Sequence, residues 1–546
     1  MNAVADLVLF NGDVVSMDPL RPRVRAVAIA GGRIMATGAD DAMLPLAGPH
    51  ARRIDLGGRM ALPGFQDAHI HLQDGGLDLA QNAALWDVRS IEALQAVLAR
   101  HAAAFDGPFI VGCGWQPGVF TDENLTRHVL DAVVSDRPCL VYDSGYHNAC
   151  LNTKGCEMAG IVAGAPDPDN GHFVRDASGV PTGMLNEDAI YFARDRLPEP
   201  TEEDYAAGVL AAQAHCNRNG ITGVLDALVR ERHVRVYQRL ADAGRLTLRI
   251  ASTAVVSPDE DARTALARIV ALRREARHPH FKVHSAKFFF DGVLENRTAA
   301  MLAPYADAAG GNAPLMFGGN AVNALFSAFD AERFQIHVHA IGDAAVRAAL
   351  DGMEAARAAN GTWPSLHQIA HVQVTDPADF GRFGALGTMA NMQPLWARTE
   401  PDIPDTTMAM VGAERAGNVY AFRSLIDAGA SFCLSSDWPV STLNPFEIIE
   451  TALTRQPPRR THGDVAPFFP EQRLTREECL AGYTINAAAA CWRADETGSL
   501  APGKSADLIV LDRDILACDA HDIGATGVLL TLFEGREVWR DPSFAG

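Results

Sequence analysis

The stretch Leu62-Pro-Gly-Phe-Gln-Asp-Ala-His-Ile-His71 is the basis of the fold prediction. Its short apolar run ends in two histidines, His69 and His71, that are two positions apart. Side chains two apart on a β-strand point to the same face of a sheet, so these imidazoles could bind one metal ion from one side. The stretch therefore predicts a strand that carries part of a metal site.

Composition and charge describe an acidic globular chain. It has 546 residues, 48% of them hydrophobic, and a net charge of −20. Its length predicts at least two domains. The acidic balance argues against nucleic acid or an anionic membrane as a partner, because both attract basic patches. The N-terminus lacks a basic signal-peptide region and no run of about 18 apolar residues occurs, so we expect a cytoplasmic protein without a membrane span.

Strand-like runs alternate with helical patterns between the two ends of the chain. After the His69 strand, seven such runs follow: Ile221–Asp226, Leu246–Ala251, Val283–Phe290, Phe334–His339, His367–His371, Gly387–Asn391 and Ser431–Ser436. Eight strands with interleaved helices predict an α/β protein whose residues 62–494 form a (β/α)8 TIM barrel.

Two parts of the chain fall outside this alternation. Residues about 73–200 are too many for one βα connection, so we predict an insertion subdomain after the first barrel strand. Short strands at both ends, such as Asp6–Phe10 and Ala506–Leu511, are too few to bury a core separately. We therefore expect residues 1–61 and 495–546 to build one small β domain together.

Polar residues recur at the predicted carboxyl ends of the barrel strands, where such barrels place their chemistry. They are His69, His71, Lys287, Asp291, His337, His339, His371 and Asp437. Histidines and carboxylates together form a ligand set for a divalent metal ion. Structural alternatives stay open, because a lone strand histidine is often a core residue and Asp437 could cap a helix. Histidines elsewhere, for example His233 and His462, are predicted to lie on the surface.

Lys287 precedes three phenylalanines in a strand that should be buried. A lysine is rarely buried without a partner, because an unpaired ammonium there is costly. One partner is Asp291, in an ion pair. The other possibility is a depressed pKa and reaction with CO₂, which gives a carbamate that can bridge two cations. The spacing alone leaves both open.

Six stretches of the chain resemble the amidohydrolase superfamily, in particular the branch called amidohydrolase family 3. They are LPGFQDAHIHL, KFFFDGVLENRTA, IHVHAIGDAAV, IAHVQ, SSDWPV and GSLAPGKSADLIVLD. The resemblance implies a distorted barrel with a β-sandwich built from both termini. It also implies six metal ligands: His69, His71 and Asp437 on one zinc ion, His339 and His371 on a second, and carboxylated Lys287 as the bridge. His337 has no role in the family pattern.

The resemblance further implies a hydrolase that cleaves a C–N amide bond other than a peptide bond. A metal-activated bridging hydroxide would attack the carbonyl of a small molecule, such as an N-substituted amide or an N-acyl or N-formyl amine, and Asp437 would carry the proton to the leaving nitrogen. Trp115 and Gln116 in GCGWQPG and His147 in YDSGYHNACLN resemble segments that face the site. They are candidate substrate-binding residues, and His147 a candidate catalytic one; local loop structure is the alternative.

Three other functions stay open. A cyclic amide hydrolase or a deaminase of heterocyclic bases would belong to the same superfamily. Such deaminases commonly carry a glutamate three residues after the histidine of the fifth strand, where this chain has Gly342. A non-catalytic regulatory barrel is the third possibility. A homodimer is expected only as the common default.

Overall fold

The computed structural model describes residues 4–399, 406–458 and 465–546, so His462 lies outside the described residues. These residues form two compact units. The first contains the described residues up to His71, with Gln213–Trp438 and Thr442–Gly546, and the second contains Leu72–Ala212 and Pro439–Ser441. Within the described ranges, no helix has both the length and the apolarity needed to cross a membrane.

The largest sheet of the first unit has eight parallel strands. In chain order they are Phe65–Ile70, Ile221–Val229, Arg249–Val255, Phe281–Phe289, Gln335–Ala340, Gln368–His371, Met389–Met392 and Ser431–Leu434. Two backbone hydrogen bonds link the carboxyl end of the first strand to the chain just past the eighth, from Asp437 N to His69 O (2.9 Å) and from His71 N to Trp438 O (2.8 Å). The sheet is thus a nearly closed barrel, and the predicted (β/α)8 fold is confirmed.

Helices accompany the barrel strands. They are Glu231–Asp242, Ala262–Glu275, Gly319–Ala331, Asp343–Asn360, Pro377–Leu386, Thr406–Val411, Phe422–Asp427, Pro445–Thr454, Arg476–Tyr483 and Ile485–Ala490. Helix Glu202–Arg218 begins in the second unit and ends in the first. Asp261 caps one of them, because its side chain accepts hydrogen bonds from the first-turn amides of Arg263 and Thr264.

Two expectations need correction. The third barrel strand begins at Arg249 rather than at Leu246. Leu246 and Leu248 are buried, but they precede the ladder, whose first pair is Gly223 with Arg249. His233 was expected on the surface, yet it is buried in the first turn of a helix, where its Nδ1 accepts a hydrogen bond from the amide of Arg230 (3.2 Å).

Both ends of the chain contribute to two further sheets of the first unit. One contains Arg33–Gly38, Ala26–Ala30, Ala5–Phe10 and Ala47–Asp55; the other contains Arg536–Arg540, Val528–Phe533, Leu508–Leu511, Met60–Pro63, Asp13–Val15 and Arg23–Val24. A single hydrophobic core joins Leu9 and Ile29 of one sheet to Leu508 and Leu530 of the other. The two sheets therefore pack as a sandwich.

The second unit is built on a six-stranded sheet. Its strands, in spatial order, are Gly171–Arg175, Pro181–Glu187, Asn148–Leu151, Cys139–Asp143, Ile110–Trp115 and Ala83–Ala84. Its helices are Leu72–Ala80, Ile91–Ala104, Arg127–Asp131, Thr153–Ala159 and Asp188–Arg194. Neighbouring residues of one strand, Leu140 and Val141, belong to different hydrophobic cores, because successive side chains point to opposite faces. Both faces of this sheet are therefore covered.

Candidate metal centre

Three potential metal-binding atoms meet where the first and eighth barrel strands end. Nε2 of His69 and Nε2 of His71 lie 3.3 Å and 3.2 Å from Oδ1 of Asp437. That oxygen is buried and accepts no hydrogen bond from the described residues. A buried acceptor is normally satisfied. A divalent cation fits this arrangement, because two imidazole nitrogens and a carboxylate oxygen are its usual ligands and would satisfy the oxygen.

The backbone at two of the predicted ligands has an unusual conformation. Asp437 has φ 57° and His371 has φ 78°. Positive φ in residues other than glycine is uncommon, and such strain clusters at functional sites. The next helix begins at Pro445 and is capped by the side chain of Asn444, so Asp437 is not a helix cap.

Lys287 lies next to this cluster. Its side chain is fully buried, and its Nζ is 3.4 Å from Nε2 of His69 and 4.8 Å from the ring centroid of Phe289. Burial lowers the pKa of Lys287 to about 7, against the opposing effect of the negative charges of Asp437 and Asp226. A large fraction of this side chain is therefore a neutral amine near neutral pH.

Asp291, the alternative partner of Lys287, has a different environment. Its carboxylate accepts hydrogen bonds from the backbone amides of Ala300 (3.0 Å), Ile341 (3.0 Å) and Gly342 (2.8 Å). These contacts hold together the loop after the fourth strand and the start of the helix after the fifth. The aspartate therefore has a structural function that does not depend on the lysine.

His339 and His371 form a neighbouring pair of imidazoles. Their ring centroids are 4.5 Å apart, and the ring of His371 is 5.1 Å from that of His69. Nε2 of His339 is 3.3 Å from the carbonyl oxygen of Gly292. Because a carbonyl only accepts, this nitrogen carries the proton and Nδ1 keeps the lone pair. The pair adjoins the three-atom cluster without belonging to it.

The electrostatics of the site favour the neutral imidazole at His69 and His371, but not at His71. Burial, together with the nearby Lys287 ammonium, lowers the pKa of His69 and of His371 well below the ordinary value. Burial also acts to lower the pKa of His71, but its interaction with the nearby carboxylate of Asp437 outweighs burial and raises the pKa. Neutral imidazole is the form that binds metal ions.

Sequence reasoning missed one acidic residue near the site and left one histidine without a role. Asp226 is buried on the second strand, accepts a hydrogen bond from the hydroxyl of Tyr237, and its charge raises the pKa of both Lys287 and His71. Asp226 could have been identified from the sequence, because it ends the predicted strand Ile221–Asp226. Nε2 of His337 lies 2.9 Å from Nδ1 of His69, so it orients that ring through the nitrogen that does not face Asp437.

The candidate substrate-binding residues belong to the second unit. Trp115 is 2% exposed in a hydrophobic core, and its Nε1 donates a hydrogen bond to the carbonyl of Val141 (3.3 Å). Gln116 is partly buried and donates a hydrogen bond to a backbone carbonyl two residues back (3.2 Å). Nδ1 of His147 is 2.7 Å from Oε2 of the buried Glu187, which fixes the imidazole orientation. Packing in this core is thus sufficient to explain the buried position of Trp115.

The fold and the site together define the class of this protein. Imidazoles, a carboxylate and a buried lysine converge at the carboxyl edge of an eight-stranded parallel barrel. It is a (β/α)8 barrel with a candidate metal centre in which the residues fit a divalent cation.

Comparison with known proteins assigns the family. The profile of the amidohydrolase family matches residues 52–539. The chain is 27% identical to the N-substituted formamide deformylase of Arthrobacter pascens, over 98% of each chain, and 28% identical to Protein LONG AFTER FAR-RED 3 of Arabidopsis thaliana, over 98% of this chain and 92% of that one. A crystal structure of an uncharacterized metal-dependent hydrolase from Pyrococcus horikoshii superimposes with a TM-score of 0.76 and 25% identity, covering 94% of this chain and 99% of that one. The chain belongs to the amidohydrolase family, which confirms the resemblance described above. The prediction that the protein is a hydrolase acting on carbon–nitrogen bonds is also confirmed.

Proposed function

We propose that this chain is a metal-dependent hydrolase that cleaves the C–N bond of a small N-substituted amide, an N-acyl amine or an N-formyl amine. The observation that carries the proposal is the convergence of two imidazole nitrogens on the buried Oδ1 of Asp437, which accepts no hydrogen bond from the described residues. Similarity over full length to a formamide deformylase supports the substrate class.

The proposed ligands divide into two groups that a bridge connects. His69, His71 and Asp437 would hold one cation, and His339 and His371 a second. Zinc suits this set, because imidazoles and carboxylates are its usual ligands outside cysteine sites. When bound, the cations supply Lewis acidity, which polarises a carbonyl and makes water more acidic.

Lys287 is proposed to bridge the two groups as a carbamate. The neutral amine at Nζ attacks the carbon of CO₂, a nitrogen–carbon bond forms as one C=O π bond opens, and one proton leaves to solvent, so the neutral amine becomes an anionic carbamate with two oxygens. Burial promotes this step, because it lowers the pKa of Lys287 to about 7 and so populates the reactive amine. The 3.4 Å separation from Nε2 of His69 supports a position beside the first cation.

Asp437 is proposed to move the proton during hydrolysis. As the water oxygen adds to the substrate carbonyl carbon, the carboxylate takes a proton from it. The same carboxyl then delivers that proton to the substrate nitrogen, so that the C–N bond breaks and a neutral amine leaves. The roles of His147, Trp115 and Gln116 in substrate binding stay predictions; Glu187 beside His147 supports a fixed imidazole orientation.

The deaminase alternative loses support at Gly342. A Cβ atom added there would lie 2.0 Å from the carbonyl oxygen of Ala300, closer than real Cβ atoms come to other atoms. A glutamate at this position would therefore require the adjacent loop to move. Lys287, which the superfamily's deaminases commonly lack, points in the same direction.

Metal analysis and a substrate panel test the proposal together. The protein is purified without chelator, its zinc content is measured, and it is assayed on N-formyl amines, N-acyl amino acids, aryl amides and lactams. We expect two zinc ions per chain and turnover of an acyclic amide that chelation abolishes and zinc restores. A folded protein that takes up no divalent metal would instead support the non-catalytic alternative. Turnover of lactams alone would support the cyclic amide hydrolase.

A further inference from the structure

A row of buried amide side chains crosses the barrel interior and ends at His371. Gln335 and Gln368 begin the fifth and sixth strands, Asn391 lies on the seventh, and Gln393 follows it. All four amides are buried. At the end of the row, Oε1 of Gln393 is 3.1 Å from Nδ1 of His371.

The first half of the row is oriented by backbone carbonyls. Nε2 of Gln335 donates to the carbonyl oxygens of Leu366 (2.7 Å) and Ala490 (2.9 Å). Nε2 of Gln368 donates to the Ala490 carbonyl (3.1 Å) and to Oε1 of Gln335 (2.9 Å). Because a backbone carbonyl accepts and never donates, each of these NH₂ groups has to face it. The carbonyl oxygen of each side chain therefore faces the other way.

The second half transmits this orientation to the metal centre. Nδ2 of Asn391 donates to the carbonyl oxygen of Ala68 (2.9 Å) and to Oε1 of Gln368 (2.8 Å), which directs Oδ1 of Asn391 toward Gln393. Nε2 of Gln393 then donates to that Oδ1 (3.0 Å) and to the hydroxyl of Ser435 (2.7 Å). Both hydrogens of this NH₂ group are used, so only the oxygen Oε1 of Gln393 can face His371.

The ring of His371 is also restrained on its face. It stacks on the indole of Trp396, with centroids 5.2 Å apart and planes inclined by 9°. A flip of Gln393 would place its oxygen 3.0 Å from Oδ1 of Asn391, and a compensating flip of Asn391 would place an oxygen against the carbonyl of Ala68. Every alternative orientation thus creates a contact between two buried acceptors.

We infer that Gln393, oriented by Asn391, is a positioning residue that holds His371 in the tautomer with the proton on Nδ1 and the lone pair on Nε2. Because the row is anchored on the backbone carbonyls of Ala68 and Ala490, the protonation pattern of this imidazole is set by a chain of contacts that begins where the fifth and sixth strands start. The consequence for a cation rests on the proposed function: Nε2 of His371 is the atom that binds it. The tautomer itself does not depend on any metal.

Nitrogen-15 NMR of the metal-free protein tests the tautomer directly. Protein labelled with ¹⁵N-histidine is stripped of metal and measured in the solid state at pH 8, and the signals of His371 are assigned by their loss in His371→Gln. We expect a protonated Nδ1 and a bare Nε2. A bare Nδ1 with a protonated Nε2 would overturn the inference.

Two substitutions of Gln393 separate positioning from packing. Gln393→Glu keeps an acceptor oxygen at Nδ1, and its buried carboxyl, once protonated, can still donate to Oδ1 of Asn391, so this variant is expected to keep the wild-type tautomer. Gln393→Met has similar bulk but no acceptor, and is expected to produce the Nε2-protonated form and to weaken zinc binding at the second site by about 10–100-fold. An unchanged tautomer in the folded Met variant would contradict the role of Gln393.

If that variant does not fold, Asn391→Ser provides a second test, because it removes the anchor to Ala68. It is expected to give both tautomers of His371, and a single wild-type tautomer in Asn391→Ser would also contradict the role of Gln393.

Zinc uptake distinguishes this inference from the proposed function. A wild-type protein with the proton on Nδ1 that takes up no zinc would refute the proposed function and support the positioning by Gln393. A protein that binds two zinc ions but whose metal-free form has the proton on Nε2 would support the proposed function and refute the positioning by Gln393.

Discussion

Arg249, at the amino end of the third barrel strand, and Asp437, just after the eighth, are both buried charges in the same barrel. Nη2 of Arg249 donates to the hydroxyl of Ser505 and to Oε1 of Glu534, both at 2.8 Å, and Nη1 donates to Asp507. Oδ1 of Asp437 instead accepts no hydrogen bond from the described residues and faces two imidazoles.

The difference between these regions distinguishes a structural charge from a functional one. A buried charge is costly unless hydrogen bonds or opposite charges compensate for it. At the amino end the compensation comes from the protein, and it joins the barrel to the sheet formed by the C-terminal strands. At the carboxyl end, the proposed metal ion would supply it. Substitutions at the amino end should therefore lower the stability of the fold, and substitutions at the carboxyl end should lower activity or metal binding.

The largest effect is expected for Asp437→Asn, compared with Asp330→Asn as a matched buried aspartate. The first change removes the base and should lower kcat by about 10²–10⁴-fold, with part of the metal binding retained and the free energy of unfolding nearly unchanged. Asp330 accepts hydrogen bonds from Asn360 (2.9 Å), Trp363 (2.6 Å) and His367 (3.0 Å), so its substitution should cost about 1–3 kcal/mol of stability and leave kcat intact. Kinetics and urea unfolding measure both. Near-normal turnover in Asp437→Asn would refute its catalytic role.

Arg249→Met should have the next largest effect, and on stability alone. It leaves the buried carboxylate of Asp507 without its cation, which should lower the free energy of unfolding by about 3–5 kcal/mol. The double variant Arg249→Met with Asp507→Leu removes both charges and should recover much of this loss. Urea unfolding measures the stabilities, and kcat should remain near the wild-type value. A double variant no more stable than the single one would show that the pair is not the cause.

Lys287→Ala should mainly affect metal content. Loss of the bridge should weaken the second zinc by at least about 10–100-fold, and formate or acetate should restore part of the zinc binding and of the activity by supplying a carboxylate. Lys282→Ala is the matched control, because this lysine is on the same strand but donates to the carbonyl of Trp492 (2.7 Å). The zinc content of both variants, measured with and without added formate or acetate, tests this expectation. Two tightly bound zinc ions in unassisted Lys287→Ala would exclude the carbamate.

Glu534→Gln should have the smallest effect, and one that depends on pH. A hydrogen bond from His280 and the charge of Arg249 lower the pKa of Glu534 to about 2 from an ordinary 4.5. The carboxylate therefore contributes stability that is fully present above about pH 4.5 and is lost as the pH falls toward 2. We expect the variant to be less stable by roughly 0.2–1 kcal/mol at pH 7 and this difference to vanish near pH 2. Urea titrations across this range measure it, and an equal difference at both ends would contradict the assignment.

Local patterns made several features predictable. The barrel strands were recognisable because apolar runs alternate with helical periodicity, and all eight begin within a few residues of the expected positions. His69 and His71 were predictable as a pair because strand geometry puts alternate residues on one face. The third strand begins at Arg249 rather than Leu246, because Leu246 and Leu248 are buried apolar residues that precede the strand pairing.

Other assignments depend on neighbours that are distant in sequence. The indole of Trp115 packs in a core formed with residues distant in sequence, and its predicted role in substrate binding stays a prediction. The domain boundaries, a homodimer and a cytoplasmic location stay predictions.

The sequence by itself determined the barrel and the His69/His71 pair, because these depend on residue type at fixed spacing along the chain, and it indicated the family and the other candidate ligands through stretches that resemble the family. Only the tertiary structure decided that Oδ1 of Asp437 meets two imidazoles and that Gln393 faces His371 with its oxygen. The physical reason is that hydrogen-bond direction and burial depend on which strands become neighbours. Closure of the barrel brings Asn391 to the carbonyl of Ala68, more than three hundred residues earlier in the chain.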